Sequence, residues 1–311
     1  MHALVDRDQL GFDQIPADYM FMMTCLDSET FSGGSFRPYQ KLELHPASAI
    51  QNYGHPEENA HRIKMGADRM CMTSSTPEQL VHDVKQTILA NKHWKRGLNF
   101  TAGSSTREGV PHSLYIRPLF MGTGTVLALG PTPEFSVLVY AAPVGNVHKA
   151  RISLDLLIQE RFHQATPGWT GGIKSIINYS QVFKPIKEPK AEGFSNVLFL
   201  DAVTVKYVEE ACSCNIFIVK GKTIPTPTTK DTILPGITRK SMIEIALTYS
   251  YQKLEETYRV YRCNIPQFYN FEQVAVRLVL VKDLTLADGV FCTGTAVGVV
   301  PVSRITYQGK G

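Results

Sequence analysis

Every β-forming run in this chain is short, and a short apolar run is stable only when neighbouring strands and helices cover it. Leu114-Tyr115-Ile116-Arg117, Phe135 to Ala142, Val197 to Asp201 and Cys214 to Val219 are such runs, rich in β-branched and aromatic residues. Helical spacing interrupts them. Thr76-Pro77-Glu78-Gln79 supplies an N-cap, a proline at the first helical position and Gln at the third, and Leu80, Val81, Val84 and Ile88 follow on one face. Pro56 to Met72 predicts a second helix, opened by Pro56, Glu57 and Glu58, with Ala60, Ile63, Ala67, Met70 and Cys71 to one side. The chain must therefore mix helix and sheet in an α/β (α+β) fold. Its most apolar stretches, such as Val276 to Val281, are far too short to span a bilayer, so no membrane partner is expected.

With 311 residues, two domains are expected. The texture changes after Pro143-Val144-Gly145-Asn146. This predicts a small α+β domain over 1–144, a linker over 145–150 and a large domain over 151–311. The second half alternates strands with helices, from Tyr179 onward and over Ile237 to Tyr249, and Lys220-Gly221-Lys222 has hairpin-turn character. It should hold the larger sheet. A formal charge of only +4, with no basic stripe interleaved with aromatics, argues against a nucleic-acid partner. The 6 cysteines form no CxxC pair and lack companion histidines, so neither a metal site nor a disulfide framework is expected, and a reducing compartment fits. The opening MHALVDRDQLGF has neither the apolar core of a secretory signal nor an acid-poor Arg/Ser character, which predicts a cytoplasmic protein.

Residues 165–179 read ATPGWTGGIKSIINY, with Lys174 between a glycine-rich loop and an apolar stretch. Most lysines are solvated, which is the plain reading of this one. A phosphate-cradling nucleotide loop is excluded because Ile173 stands where that motif needs glycine. Lysine is also the side chain that forms Schiff bases with carbonyl compounds. A lysine holding a pyridoxal cofactor needs a phosphate anchor, an acid at the pyridinium nitrogen and a partner for the ring oxygen. Leu234-Pro235-Gly236-Ile237-Thr238 precedes an amphipathic helix and could anchor a phosphate; Thr293-Gly294-Thr295-Ala296 is a second small hydroxyl-bearing loop. In Tyr207-Val208-Glu209-Glu210, strand alternation sends the two carboxylates to opposite faces, one inward and one to water. Each signal alone is weak.

Taken together, TPG-TGGIKSIINY, YVEEACSCNIFIVKG, TILPGITRKS, SLYIRPL and FCTGTAVGVVPV resemble, in order, the branched-chain amino acid aminotransferases, class IV pyridoxal-phosphate enzymes, and above all their plant members. The resemblance runs from about Gly11 to Tyr307. It implies the fold-type IV, D-amino-acid-aminotransferase-like two-domain fold, a homodimer and pyridoxal 5'-phosphate as cofactor. It implies Lys174 as the Schiff-base lysine and proton carrier, Glu210 at the pyridinium nitrogen and Tyr179 at the ring hydroxyl oxygen. Gly236, Ile237, Thr238 and Thr295 would hold the phosphate. Tyr53, Tyr115 and Arg117 of the small domain would close over the substrate, with Arg117 and the Ala296 amide suited to its carboxylate. The implied reaction passes the amino group of leucine, isoleucine or valine to 2-oxoglutarate, leaving the branched 2-oxo acid and glutamate.

The chain departs from the family in places. Asn52-Tyr53-Gly54 runs directly into His55-Pro56-Glu57-Glu58-Asn59-Ala60, where the family has a hairpin ending in a phosphate-gripping arginine. A charge-assisted bond is worth about 1.5–3 kcal/mol, so losing that arginine predicts cofactor binding weakened roughly 10- to 150-fold. Residues 257–283 form an added segment, Trp169 replaces a glycine beside the lysine loop, and the chain ends at Gly311, before the family's C-terminal segment. Two alternatives stay open on these grounds: a catalytically silent dimerisation partner, and a D-amino-acid transaminase or pyridoxal-dependent lyase.

Overall fold

The computed structural model describes residues 17–26, 30–31, 33–40, 49–52, 56–92, 113–125, 130–144, 153–248, 273–295 and 297–309. The chain divides into two compact units, Met1–Lys149 and Ala150–Gly311.

The first unit contains β1 (Tyr19–Leu26), β2 (Ser35–Pro38), β3 (Ala49–Asn52), α1 (Pro56–Arg69), α2 (Pro77–Ala90), β4 (Ser113–Gly122) and β5 (Glu134–Val144). Among the described residues its strands form one antiparallel sheet in the order β2-β1-β5-β4-β3. Alternation decides what each face does. Phe21, Met23, Phe120, Phe135, Val137 and Val139 pack beneath Ala60 and Ala67 of α1 and Leu80, Val81 and Val84 of α2, whereas Met20, Met121 and Leu138 form a separate cluster. Thr76 caps α2 as its sequence predicts, accepting from the Gln79 amide at 3.2 Å. At the other end the buried Asn91 side chain accepts from the Asp18 and Tyr19 amides and donates to the Tyr19 and Thr87 carbonyls, tying helix to sheet.

The second unit contains β6 (Leu154–Gln159), α3 (Ile176–Ser180), α4 (Phe183–Ala191), β7 (Asn196–Leu200), β8 (Tyr207–Ala211), β9 (Cys214–Val219), β10 (Thr223–Pro227), α5 (Ile237–Thr248), β11 (Gln273–Arg277), β12 (Val279–Leu280), α6 (Val281–Thr285), β13 (Gly289–Gly294) and β14 (Gly298–Thr306). Its main sheet runs β12-β8-β7-β6-β14-β13-β9 among the described residues, and a further β8–β9 pairing closes it on itself. Only β6–β7 and β6–β14 are parallel in this sheet. The closed sheet keeps Leu156, Ile158, Leu198, Leu200, Ile216, Ile218 and Cys292 together in one core. The alternate residues face the helices: Val197 and Phe199 pack on Val182 and Ile186, while Phe217 and Phe291 stack 4.9 Å apart in a cluster with Met242 of α5. Among the described residues, no helix is long and apolar enough to cross a membrane.

Two local expectations change, and one apolar run proves to be divided. The helix expected from Tyr179 onward starts earlier, at Ile176, because Ser175 caps it by accepting from the Ile177 amide. The apolar run Val276 to Val281 is not one strand: β11 ends at Arg277, β12 takes two residues, and α6 begins at Val281, where Asp283 accepts from the Leu280 amide and from Arg277. The added segment is thus built into the fold where it is described, β11 lying parallel to β10 and β12 antiparallel to β8. Finally, Glu209 and Glu210 are both buried, at 6% and 5% exposure, rather than one meeting water. The reason is a register shift: Leu198 pairs with Ala211 but Leu200 with Val208, so β8 carries one extra residue at the two glutamates. A bulge of this kind breaks alternation and re-aims side chains.

Candidate active site

The lysine lies on a loop that only glycine can pack. A Cβ at Gly171 would sit 2.7 Å from the Asp231 carbonyl and 2.5 Å from Ala165 Cβ, and the Gly172 amide donates to that same carbonyl at 2.7 Å. The loop is thereby pressed against residues 230–232. Asn178, buried in α3, donates to the Thr170 and Ile173 carbonyls at 2.7 and 2.8 Å and ties the loop before Lys174 to the helix after it. The outcome is a half-buried Lys174 whose Nζ donates to the Tyr179 hydroxyl and lies 4.4 Å from the centre of that ring.

Glu210 faces this lysine from β8. Burial pushes its carboxyl up to about 8, opposed by the Lys174 ammonium, by a hydrogen bond from the Leu234 amide and by Arg239. Its Oε1 accepts from Gln164 Nε2 at 3.1 Å and its Oε2 from Asn215 Nδ2 at 3.3 Å. Asn215 is its cross-strand partner, because the two-residue turn Cys212-Ser213 sets Ala211 opposite Cys214 and Glu210 opposite Asn215. The same Asn215 amide donates to the Leu234 carbonyl at 2.9 Å, which links Glu210 to the loop at the head of α5.

That loop ends in Gly236, whose carbonyl accepts from the Lys240 amide and so starts α5 at Ile237. The first amides of a helix have no partner within it and carry a positive partial charge, which suits an anion at Gly236, Ile237 and Thr238. Thr293 on β13 pairs with Asn215 on β9, extending the row Glu210, Asn215, Thr293 across three strands. Thr293 Oγ1 and Arg239 Nε are buried without a hydrogen-bond partner among the described residues. Orphaned buried groups call for a polar companion. Thr295 is exposed on the turn that follows. An amine with a phenol, a buried carboxylate, a helix head and unpaired donors suit a flat, basic, phosphorylated group, so the donor set fits pyridoxal phosphate.

The second unit thus brings together Lys174, Tyr179, Glu210, Gly236, Ile237 and Thr238. Tyr115 and Arg117 lie on β4 of the first unit, two residues apart and so on one face of the strand, both half-buried. Tyr53, His55 and Ala296 lie outside the described residues. Sequence reasoning missed Gln164, Asn215 and Arg239. Asn215 could have been found by reading Cys212-Ser213 as a two-residue hairpin turn; nothing local marks Gln164.

Comparison with known proteins gives a consistent picture. The family described as Amino-transferase class IV matches residues 54–305. Branched-chain amino acid aminotransferase 2, chloroplastic, of Humulus lupulus is 44% identical over 99% of this chain and 73% of its own length. Branched-chain-amino-acid aminotransferase 1, mitochondrial, of Arabidopsis thaliana is 40% identical over 99% of this chain and 77% of its own. Among solved structures, the branched-chain amino acid aminotransferase of Thermobaculum terrenum in its PLP form superposes with a TM-score of 0.66 at 18% identity, covering 94% of this chain and 87% of that one, a likeness of fold. The cytoplasmic placement expected from the opening residues does not stand against these relatives, whose names are chloroplastic and mitochondrial. A composition reading of a dozen residues tests for a visible targeting pattern, not for where a protein works.

Proposed function

Because the chain belongs to the class IV aminotransferases, as a member of the branched-chain amino acid aminotransferases, we propose that it transfers the amino group of leucine, isoleucine or valine to 2-oxoglutarate with pyridoxal phosphate held on Lys174. The observation that carries this reading is the Lys174 amine hydrogen-bonded to the Tyr179 hydroxyl and facing a buried Glu210. When bound, the cofactor supplies an aromatic ring that takes up the electron pair left at the substrate α-carbon.

The residues have separable tasks in this reading. Glu210 opposes the ring nitrogen and keeps a proton on it, which requires the glutamate to be ionised. Tyr179 holds the ring hydroxyl and, through its contact with Nζ, orients the lysine. The Lys174 amine would move the proton between the substrate α-carbon and the cofactor carbon that takes up the amino nitrogen. Gly236, Ile237, Thr238 and Thr295 grip the phosphate. Tyr53, Tyr115, Arg117 and Ala296 select the substrate, the arginine through its carboxylate. The active form in this reading is a homodimer. The exposed Trp169, Ile177 and Phe183 on the lysine-bearing segment supply apolar surface for such a contact.

The test is spectroscopic. Purified protein mixed with pyridoxal phosphate is expected to develop the visible absorbance of lysine-bound cofactor, to lose it on adding leucine and to regain it with 2-oxoglutarate. No absorbance, or a spectrum that D-alanine changes and leucine does not, overturns the reading. Methionine belongs in the donor panel, because a methionine aminotransferase of Arabidopsis thaliana is 36% identical to this chain.

A further inference from the structure

The acid at the heart of the site is held by neutral donors, and one of them can do nothing except donate. Gln164, itself 4% exposed, directs Nε2 at two oxygens: Glu210 Oε1 at 3.1 Å and the Cys212 carbonyl at 3.3 Å. Its own Oε1 is buried and accepts from no group among the described residues. Turning the amide over would set that oxygen against both the Cys212 carbonyl and the Glu210 carboxylate. A backbone carbonyl never donates, so Cys212 locks the amide in its donating orientation. The main chain is held too, since Gln181 Nε2 donates to the Gln164 carbonyl. A fixed donor stabilises a carboxylate and offers nothing to a protonated acid.

The other influences on Glu210 act in both directions, and burial is the largest of them. Lys174 and Arg239 favour its charged form; burial and the neighbouring Glu209 oppose it, and the thiols Cys212 and Cys214 are held protonated by their own burial. Burial outweighs the rest and holds the carboxyl at about 8, so each donor that favours the charged form works against a large penalty.

We propose that Gln164 is a positioning residue that favours the ionised form of Glu210, and that the orientation imposed on it by the Cys212 carbonyl is what gives it that role. The proposal rests on the reading of Glu210 as the partner of the ring nitrogen, and its test separates the two. Gln164→Met removes the donor at similar volume; Gln164→Arg supplies a charged donor in its place. In the full chain without cofactor, the infrared carbonyl band of protonated Glu210, assigned by its loss in Glu210→Gln, is followed against pH. A hydrogen bond to a charged group is worth roughly a 10- to 100-fold change in proton affinity, so Gln164→Met should raise the midpoint by about 1–2 pH units and Gln164→Arg should lower it. The acidic limb of the leucine half-reaction in the loaded enzyme should move in the same directions. If both variants leave the infrared midpoint where it was, or move it the same way, the proposal is overturned. Should Gln164→Met not fold, the direction of the Gln164→Arg shift alone decides. If the infrared shifts appear but pyridoxal phosphate does not bind, the role of Gln164 stands and the functional reading fails.

Discussion

A methyl group at residue 236 has no room. A Cβ built there lies 2.1 Å from Asn215 Oδ1, 3.3 Å from its Cγ and 3.6 Å from Arg239 Cβ. To restore an ordinary contact the Asn215 amide must swing by about 1 Å. It has nowhere to swing to: Asn215 is 6% exposed, and its Nδ2 donates both to the Leu234 carbonyl and to Glu210. Displacing it sacrifices one neutral hydrogen bond, about 0.5–1.5 kcal/mol, and one to a carboxylate, about 1.5–3 kcal/mol. Gly236→Ala should therefore weaken pyridoxal phosphate binding by about 2–4 kcal/mol, roughly 30- to 900-fold. Absorbance titration of the cofactor into wild type and variant measures this directly. The reasoning makes a sharper demand on the double variant: with Asn215→Ala already present the methyl has space, so adding Gly236→Ala should cost little more. A Gly236→Ala protein with wild-type affinity, or single-variant losses that simply add in the double variant, would refute the idea that Asn215 ties Glu210 to the head of α5.

Two further predictions follow from local geometry. Gly171→Ala drives a Cβ into the Asp231 carbonyl and the Thr232 Cα, so the lysine loop must lift; leucine turnover should fall by more than 10-fold while far-ultraviolet circular dichroism stays unchanged, and retained turnover would contradict the packing described. In the first unit, Asp83 on α2 is 5% exposed with Oδ2 unpaired among the described residues, and burial raises its carboxyl from 3.8 to about 6. Because the folded value is the higher one, the protonated form is favoured in the fold. The stability this gives is complete below about pH 4 and lost as pH rises through 6. Asp83→Asn should therefore gain up to about 3 kcal/mol at pH 7 and little at pH 4 in urea unfolding, and an equal change at both pH values would show that charge is not the cause.

How much of this was legible in the sequence depended on whether the signal was local. The N-cap of α2 was, because Thr76, Pro77 and Gln79 act within one turn. The apolar faces of β7 and β9 were also readable from their composition. Glu210 could be singled out as a carboxylate, but its surroundings could not, since the bulge in β8 depends on how two strands register against each other. Alternation assumed a regular ladder and so sent one glutamate to water. Gln164 was invisible for a related reason: it lies 46 residues from Glu210 in sequence, and the pairing of β6, β7 and β8 in one sheet sets β8, which carries Glu210, close to the segment after β6, which carries Gln164. The break in the apolar run at Arg277 and Leu278 likewise required knowing that Arg277 reaches Asp283 and that β11 and β12 pair with different strands.

The account stands on a covalent bond between one amine and the cofactor. Reducing the pyridoxal-phosphate-loaded protein with borohydride fixes that bond, and proteolysis followed by mass spectrometry locates it. The label is expected on the peptide carrying Lys174, with Lys174→Ala abolishing it; a label on any other lysine, or none at all, contradicts the central claim.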